Sequence, residues 1–100
     1  MFMQREILHC QRGKAPENVA DLKVINQIFV SMGNNTGKIY VDITGRYDTV
    51  VWEIALESLD QFFSLERGIY VDRDEDTGRL IDRLNANTVA GYRELYEVMV

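Results

Sequence analysis

Glu53 sits in the middle of an otherwise largely apolar run, TVVWEIALE from Thr49 to Glu57, and its setting invites chemistry more than any other in the chain. A carboxylate held in a half-buried cleft can have its pKa raised and serve as a proton carrier. Tyr40, Glu6 and Arg93 are expected on the same sheet face, where they would line a ligand site together with Glu53. An ion pair between Glu53 and Arg93 at a subunit interface accounts for the same placement. His9, the only histidine, closes the first apolar run. It is the second candidate base, because imidazole titrates near neutral pH; a solvated or hydrogen-bonded histidine is the plainer reading. Cys10 follows it, but neighbours on a strand point to opposite faces, so a Cys–His nucleophile pair is not expected and Cys10 reads as a structural thiol. Tyr92 and Tyr96 either line a pocket for an aromatic ligand or pack the sheet, and Trp52 is placed in the core.

Two stretches imitate known sites and fail on chemistry. Asp72, Asp74 and Asp76 fall at the first, third and fifth positions of a calcium loop. The glycine needed at the sixth position is Thr77, and the bidentate glutamate needed at the twelfth is Arg83. GNNTGK, from Gly33 to Lys38, is one residue short of a phosphate-binding loop and leads into a strand rather than a helix N-terminus. Both read as solvated loops. Asn34 to Thr36 matches a glycosylation acceptor, which has meaning only in a secreted chain. No cofactor and no metal are expected.

Composition limits the partners. The chain has 100 residues, 46% of them hydrophobic, with a formal net charge of −5. That suits a single domain over residues 1–100, and a chain this short buries only roughly 60–70% of the surface that its unfolded form exposes. Pairing with a second copy would add burial. The negative charge and a pI near 4.7 argue against nucleic acid and anionic membrane as partners, since both call for a basic surface. One cysteine rules out an internal disulfide framework and suits a reducing compartment. Arg5 and Glu6 interrupt the N-terminal MFMQREILHC where a signal peptide needs an apolar run, and no segment reaches the roughly 20 apolar residues of a membrane span. The cytoplasm is the expected compartment.

The positioning elements follow from hydrophobic period. Residues 1 to 10 read as a strand. Pro16 and Glu17 open a helix whose apolar positions, Val19, Leu22, Ile25, Phe29 and Met32, recur at helical spacing to a Gly33 cap. Lys38 to Thr44 and Thr49 to Glu57 alternate around a polar turn as a hairpin, the second strand burying Val50, Trp52, Ile54 and Leu56. Ser58 and Gln61 form a capping box for a helix that runs to Gly68. A charged loop and a helical turn or two around Leu80, Ile81 and Leu84 lead to a last strand from Gly91 to Val100. This strand–helix–strand–strand–helix–strand order predicts an α+β, ferredoxin-like sandwich, with a four-stranded antiparallel sheet and its helices on one face. The second face is expected to carry Tyr40, Val51, Ala55, Leu95 and Met99 among Asp42, Glu53, Glu57, Arg93 and Glu97. That mixture suits partial cover by a second subunit around a polar cleft.

With the WEIALESLDQFF junction from Trp52 to Phe63 and the last strand GYRELYEV from Gly91 to Val98, nearly the whole chain resembles the dimeric α/β-barrel superfamily, which includes NIPSNAP-type and antibiotic-biosynthesis-monooxygenase-like domains. The resemblance implies a homodimer of ferredoxin-like subunits packed sheet to sheet, each keeping a cleft. It also implies a range of functions, from cofactor-free oxygenases and haem-handling enzymes to isomerases and domains with no known activity. Oxygenase-like members commonly carry a histidine in or after the helix that follows the third strand; Leu59 to Arg67 has none. Three expectations stand side by side: a domain binding a small apolar or aromatic molecule in the barrel cleft, a cofactor-independent monooxygenase or isomerase with Glu53 or His9 as base, and a structural dimerisation module without a ligand.

Overall fold

The computed structural model describes residues 1–100. The chain forms β1 (Phe2–Cys10), α1 (Ala15–Ser31), β2 (Lys38–Val41), β3 (Thr49–Leu56), α2 (Leu59–Tyr70), α3 (Glu75–Ala86) and β4 (Thr88–Glu97). The four strands make one antiparallel sheet in the order β2-β3-β1-β4. This is the α+β ferredoxin-like arrangement, with one helix more than the sequence suggested. The sheet is open, its edges being β2 and β4.

Each helix starts where a side chain can satisfy its free N–H groups. Ser58 Oγ accepts from Gln61 N–H at 3.2 Å, and Gln61 reaches back to accept from the Glu57 N–H at 2.7 Å. Asp74 Oδ1 accepts from Thr77 N–H at 2.7 Å. The charged stretch at Asp72 to Gly78 therefore does helical work: it is the cap and first turn of a 12-residue helix. α1 lacks a cap of its own. Asp48, at φ +54° in the β2–β3 turn, supplies one from across the fold, accepting from Gly13 N–H at 3.0 Å and Ala15 N–H at 3.3 Å.

The core lies between the sheet and the helices. Val50, Trp52, Ile54 and Leu56 of β3 pack against Leu22, Ile25 and Phe29 of α1, Leu65 of α2, and Ile81 and Leu84 of α3. Trp52 is also tied by a polar knot. Its Nε1–H donates to Asn26 Oδ1 at 2.8 Å, while Asn26 exchanges hydrogen bonds with the backbone of Gly37. A Cβ on Gly37 would collide with the indole, so the close approach requires glycine there. No helix is long and apolar enough to cross a membrane.

Several boundaries differ from the sequence reading. α2 continues through Gly68 to Tyr70, because Ile69 packs against the core and extends the apolar stripe past the glycine. β2 stops at Val41, since the Asp42 side chain accepts from the N–H groups of Thr44 and Gly45 and turns the chain. β4 begins at Thr88, paired with Cys10, and ends at Glu97.

Candidate functional site

The register sorts the candidate residues into two places. Glu53 pairs with Arg5 across β1, and Arg5 with Glu94 of β4. Val51 pairs with Ile7 and with Tyr40, and Ile7 with Tyr92. Cross-strand partners share a sheet face. The open face therefore carries Tyr40, Glu53, His9, Tyr92, Glu94 and Tyr96. Glu6 pairs with Trp52 and Arg93, and Gln4 with Ile54 and Leu95, so these side chains face the helices. The expected quartet of Glu6, Tyr40, Glu53 and Arg93 is split into two pairs on opposite faces. The assignment of Arg93, Leu95 and Glu97 to the open face was one residue out of step. Both faces of β4 mix apolar and charged residues, so its pattern alone does not choose between them. Met99 lies beyond the strand.

On the open face, Glu53 has both oxygens engaged. Oε1 accepts from Arg5 Nε–H at 2.9 Å and faces Arg5 Nη2 at 2.7 Å, and Oε2 accepts from the Tyr40 hydroxyl at 3.3 Å. The arginine beside it is Arg5, not Arg93. His9 Nδ1 is in hydrogen-bond contact with Thr49 Oγ1 at 3.1 Å. Cys10 lies on the other face and is buried, with its Sγ accepting from Asn18 Nδ2–H at 3.0 Å; burial pushes its thiol pKa up. Glu53, His9, Tyr40 and Tyr92 border an open depression of about 480 Å³. A second depression, about 670 Å³, runs between α1, α2 and the start of α3, past the exposed Met32 and Phe63. No group of three or more His, Cys, Asp or Glu side chains converges as a metal site would.

The most apolar of these spaces lies on the helix side. A cavity of about 110 Å³ is walled by Leu22, Ile25, Phe29, Trp52, Ile81 and Leu84, among others, and is bordered at one end by polar groups of β1 and α2. There Gln4 donates from Nε2 to Glu6 Oε1 at 3.0 Å and to Glu66 Oε1 at 3.2 Å. Arg93 Nη1 donates to Glu66 Oε2 at 2.6 Å. Loss of water around Glu6 raises its pKa from 4.5 to about 7; the Gln4 hydrogen bond and the Arg93 charge pull it down, and the Glu66 charge pushes it up. The Tyr70 hydroxyl at the rim is also raised, first by burial and then by the charges of Glu6 and Glu66. Chemically, this is a mainly apolar space with one carboxyl that changes charge near neutral pH.

The sequence reading named Glu6 and Arg93 as candidates on the open face, whereas the register turns both to the helix side, and it did not single out Gln4, Glu66 or Tyr70. Glu66 did leave a signal. It falls four residues after Phe62 and three before Ile69, a charged residue set in the apolar stripe of α2. Gln4 left none, because its strand lacks a clean alternation.

No family model and no curated protein matches the sequence. Solved structures match nearly the whole chain. An uncharacterised NIPSNAP domain protein of Burkholderia xenovorans shares 13% identity at a TM-score of 0.75, over 98% of this chain and 94% of its own. A NIPSNAP family protein of Agrobacterium tumefaciens shares 18% identity at 0.75, over 98% and 85%. A Nitrosomonas europaea protein of the antibiotic biosynthesis monooxygenase type shares 8% identity at 0.78, over the full length of both chains. The chain thus has the fold common to NIPSNAP-type and antibiotic-biosynthesis-monooxygenase-like proteins.

Proposed function

We propose that the protein binds a compact, largely apolar small molecule in the cavity between its sheet and its helices, and that it works as a homodimer joined through the open sheet face. The cavity carries the first part: a space of about 110 Å³ with apolar walls and a small polar end is the form that ligand sites take, on a small scale. A cavity of roughly 150 Å³ holds a benzene-sized guest, so at about 110 Å³ this one takes a smaller guest as it stands and a single ring with slight opening of the helices. A purely structural module gains nothing from such a space, because an unfilled interior forfeits contacts and costs stability. The site differs from the barrel cleft expected from the sequence, since it lies on the opposite side of the sheet.

The dimer is supported by the open face, where Tyr40, Tyr92 and Tyr96 remain 46%, 57% and 42% exposed around the Arg5–Glu53 pair. An aromatic sheet face of this kind is rarely left in water. A second reading, proton-transfer catalysis of the isomerase or cofactor-independent oxygenase kind, has one observation behind it: the carboxyl of Glu6 changes charge near pH 7 inside the cavity. In that reading Glu6 replaces Glu53 and His9 as the base, since both oxygens of Glu53 are already engaged and His9 lies outside the cavity.

The test is an NMR titration of the labelled protein with toluene. Shifts should concentrate on the Trp52 indole N–H and on the methyls of Ile25, Ile81 and Leu84. Shifts confined to the open face, or none at all, would remove the cavity as a binding site. For the dimer, sedimentation at micromolar concentration decides: a clean 11.6 kDa monomer would end that part.

A further inference from the structure

The polar end of the cavity has an unusual balance of donors and acceptors. Gln4 is only 3% exposed, and its side-chain amide gives its N–H groups to two carboxylates, Glu6 and Glu66. That orients the amide: its nitrogen lies between the carboxylates, and its carbonyl oxygen accepts no hydrogen bond from the protein. Glu6 Oε1 is held by Gln4, while Oε2 has no partner. Glu66 has both oxygens engaged, one by Gln4 and one by Arg93. What remains for an occupant is the Gln4 amide oxygen and one Glu6 carboxylate oxygen, two acceptors at the cavity that take no hydrogen bond from the protein. Tyr70 and Asn85, the other polar residues at the cavity, are exposed at its rim. The charge is unbalanced as well, with two carboxylates against the single guanidinium of Arg93.

We propose that the cavity takes a small primary amine as its ammonium ion, with a compact apolar body against Leu22, Ile25, Phe29 and Trp52 and its N–H groups on Glu6 and Gln4. The proposal rests on the cavity being the ligand site and goes further by naming the chemical class. An ammonium supplies the donors that the two free oxygens lack and the positive charge that the two carboxylates leave uncompensated. An ammonium donating to these oxygens makes charge-assisted hydrogen bonds, which are stronger than those that a neutral donor makes. A carboxylate-bearing guest would meet acceptors and like charge, and a guest offering only a carbonyl would leave Gln4 unsatisfied.

The class also fixes the direction of the pH dependence. Glu6 must be ionised to pair with an ammonium, and its pKa is raised to about 7. The charged and titratable groups around it are Glu66 and Tyr70 from α2 and Arg93 from β4; α1, β3 and α3 present no titratable side chain to the cavity. Amine binding should therefore strengthen as pH rises from 6 to 8, weakening towards about tenfold per unit below the Glu6 pKa.

Thermal-shift measurements with toluene, benzyl alcohol, benzylamine and benzoate at equal concentration test this, because a guest bound only by the native state raises the melting temperature. At pH 8 benzylamine should give the largest shift and benzoate the smallest, and the advantage of benzylamine over benzyl alcohol should shrink at pH 6. In Glu6→Gln, toluene should keep its shift while benzylamine falls to the level of benzyl alcohol. A benzyl alcohol shift equal to or above that of benzylamine at pH 8 overturns the amine assignment and leaves the cavity standing. An amine advantage that survives Glu6→Gln also overturns it, as binding elsewhere on an acidic protein. If even toluene gives no shift, the cavity reading and the amine assignment fall together.

Discussion

Glu6 and Glu53 stand on adjacent strands of one sheet, a single register step apart, for Glu6 pairs with Trp52, the residue next to Glu53. That one step gives them opposite environments. Glu53 points to the open face, where Arg5 and Tyr40 engage both its oxygens. Glu6 points to the helix side, where an amide donates to one oxygen and partial burial raises the pKa of the carboxyl. Loss of water disfavours the charged form of a carboxyl, whereas a guanidinium partner favours it. The carboxylate that looked most chemical in the sequence is a paired surface group, and the chemically poised one sits in a strand with no clear pattern.

The largest expected contrast between the faces is in packing. Trp52→Ala removes a buried indole and one of the two hydrogen bonds to the Asn26 carbonyl, and should cost about 3–5 kcal/mol in denaturant unfolding. Tyr40→Ala, at a half-exposed position, should cost less than about 1 kcal/mol in dilute protein. Similar losses from both would erase the distinction between a core face and an open face.

Next comes the pH dependence of stability. The folded pKa of Glu6 lies above its ordinary value, so the folded state holds this proton over a pH range in which the unfolded state has released it. The contribution to stability is full below pH 4.5, is lost as pH rises from 4.5 to about 7, and is constant above. The shift corresponds to roughly 3 kcal/mol, and partial solvation of the carboxyl reduces this to about 2. Glu6→Gln should accordingly be more stable than the unmodified protein at pH 8, with the difference vanishing near pH 4. Glu17, Asp42 and Asp74, whose pKa values are lowered by Lys14 or by backbone N–H groups, act in the opposite sense and lose their contributions in acid. They are common to both proteins and cancel in the difference. A Glu6→Gln difference that does not grow between pH 4 and pH 8 would contradict the placement of Glu6 on the helix side.

How much of this was legible depended on whether a strand carried an unambiguous pattern. β3 alternates with Val50, Trp52, Ile54 and Leu56 on one side, then changes period at the Ser58 cap, so its buried face and the following helix could be read directly. β1 offers Gln4, Glu6 and Leu8 on one face and Arg5, Ile7 and His9 on the other, each set mixing polar with apolar. Only pairing with β3 resolves which set is buried, and sequence does not supply that register. β4 has the same ambiguity between Tyr92, Glu94, Tyr96 and Arg93, Leu95, Glu97. α3 was underestimated because its first turn is capped by a run of charges that reads as loop when taken alone. The candidate site is built mainly from these ambiguous elements, which is why its members were recognised singly but not as a group.

A smaller effect sharpens the interior cluster. Arg93 lowers the pKa of Glu6 and binds Glu66, so Arg93→Met should raise the Glu6 pKa further, whereas Arg5→Met should leave it in place. Equal responses to the two substitutions would mean that the faces are not electrostatically separate.

The most direct measurement is the titration of the glutamate side-chain carboxyl carbons by NMR, assigned through Glu6→Gln and Glu53→Gln. The Glu6 resonance should move with a midpoint near pH 7. A Glu6 midpoint near the ordinary 4.5 would show a carboxyl still in water, and the cavity would lose its chemical role.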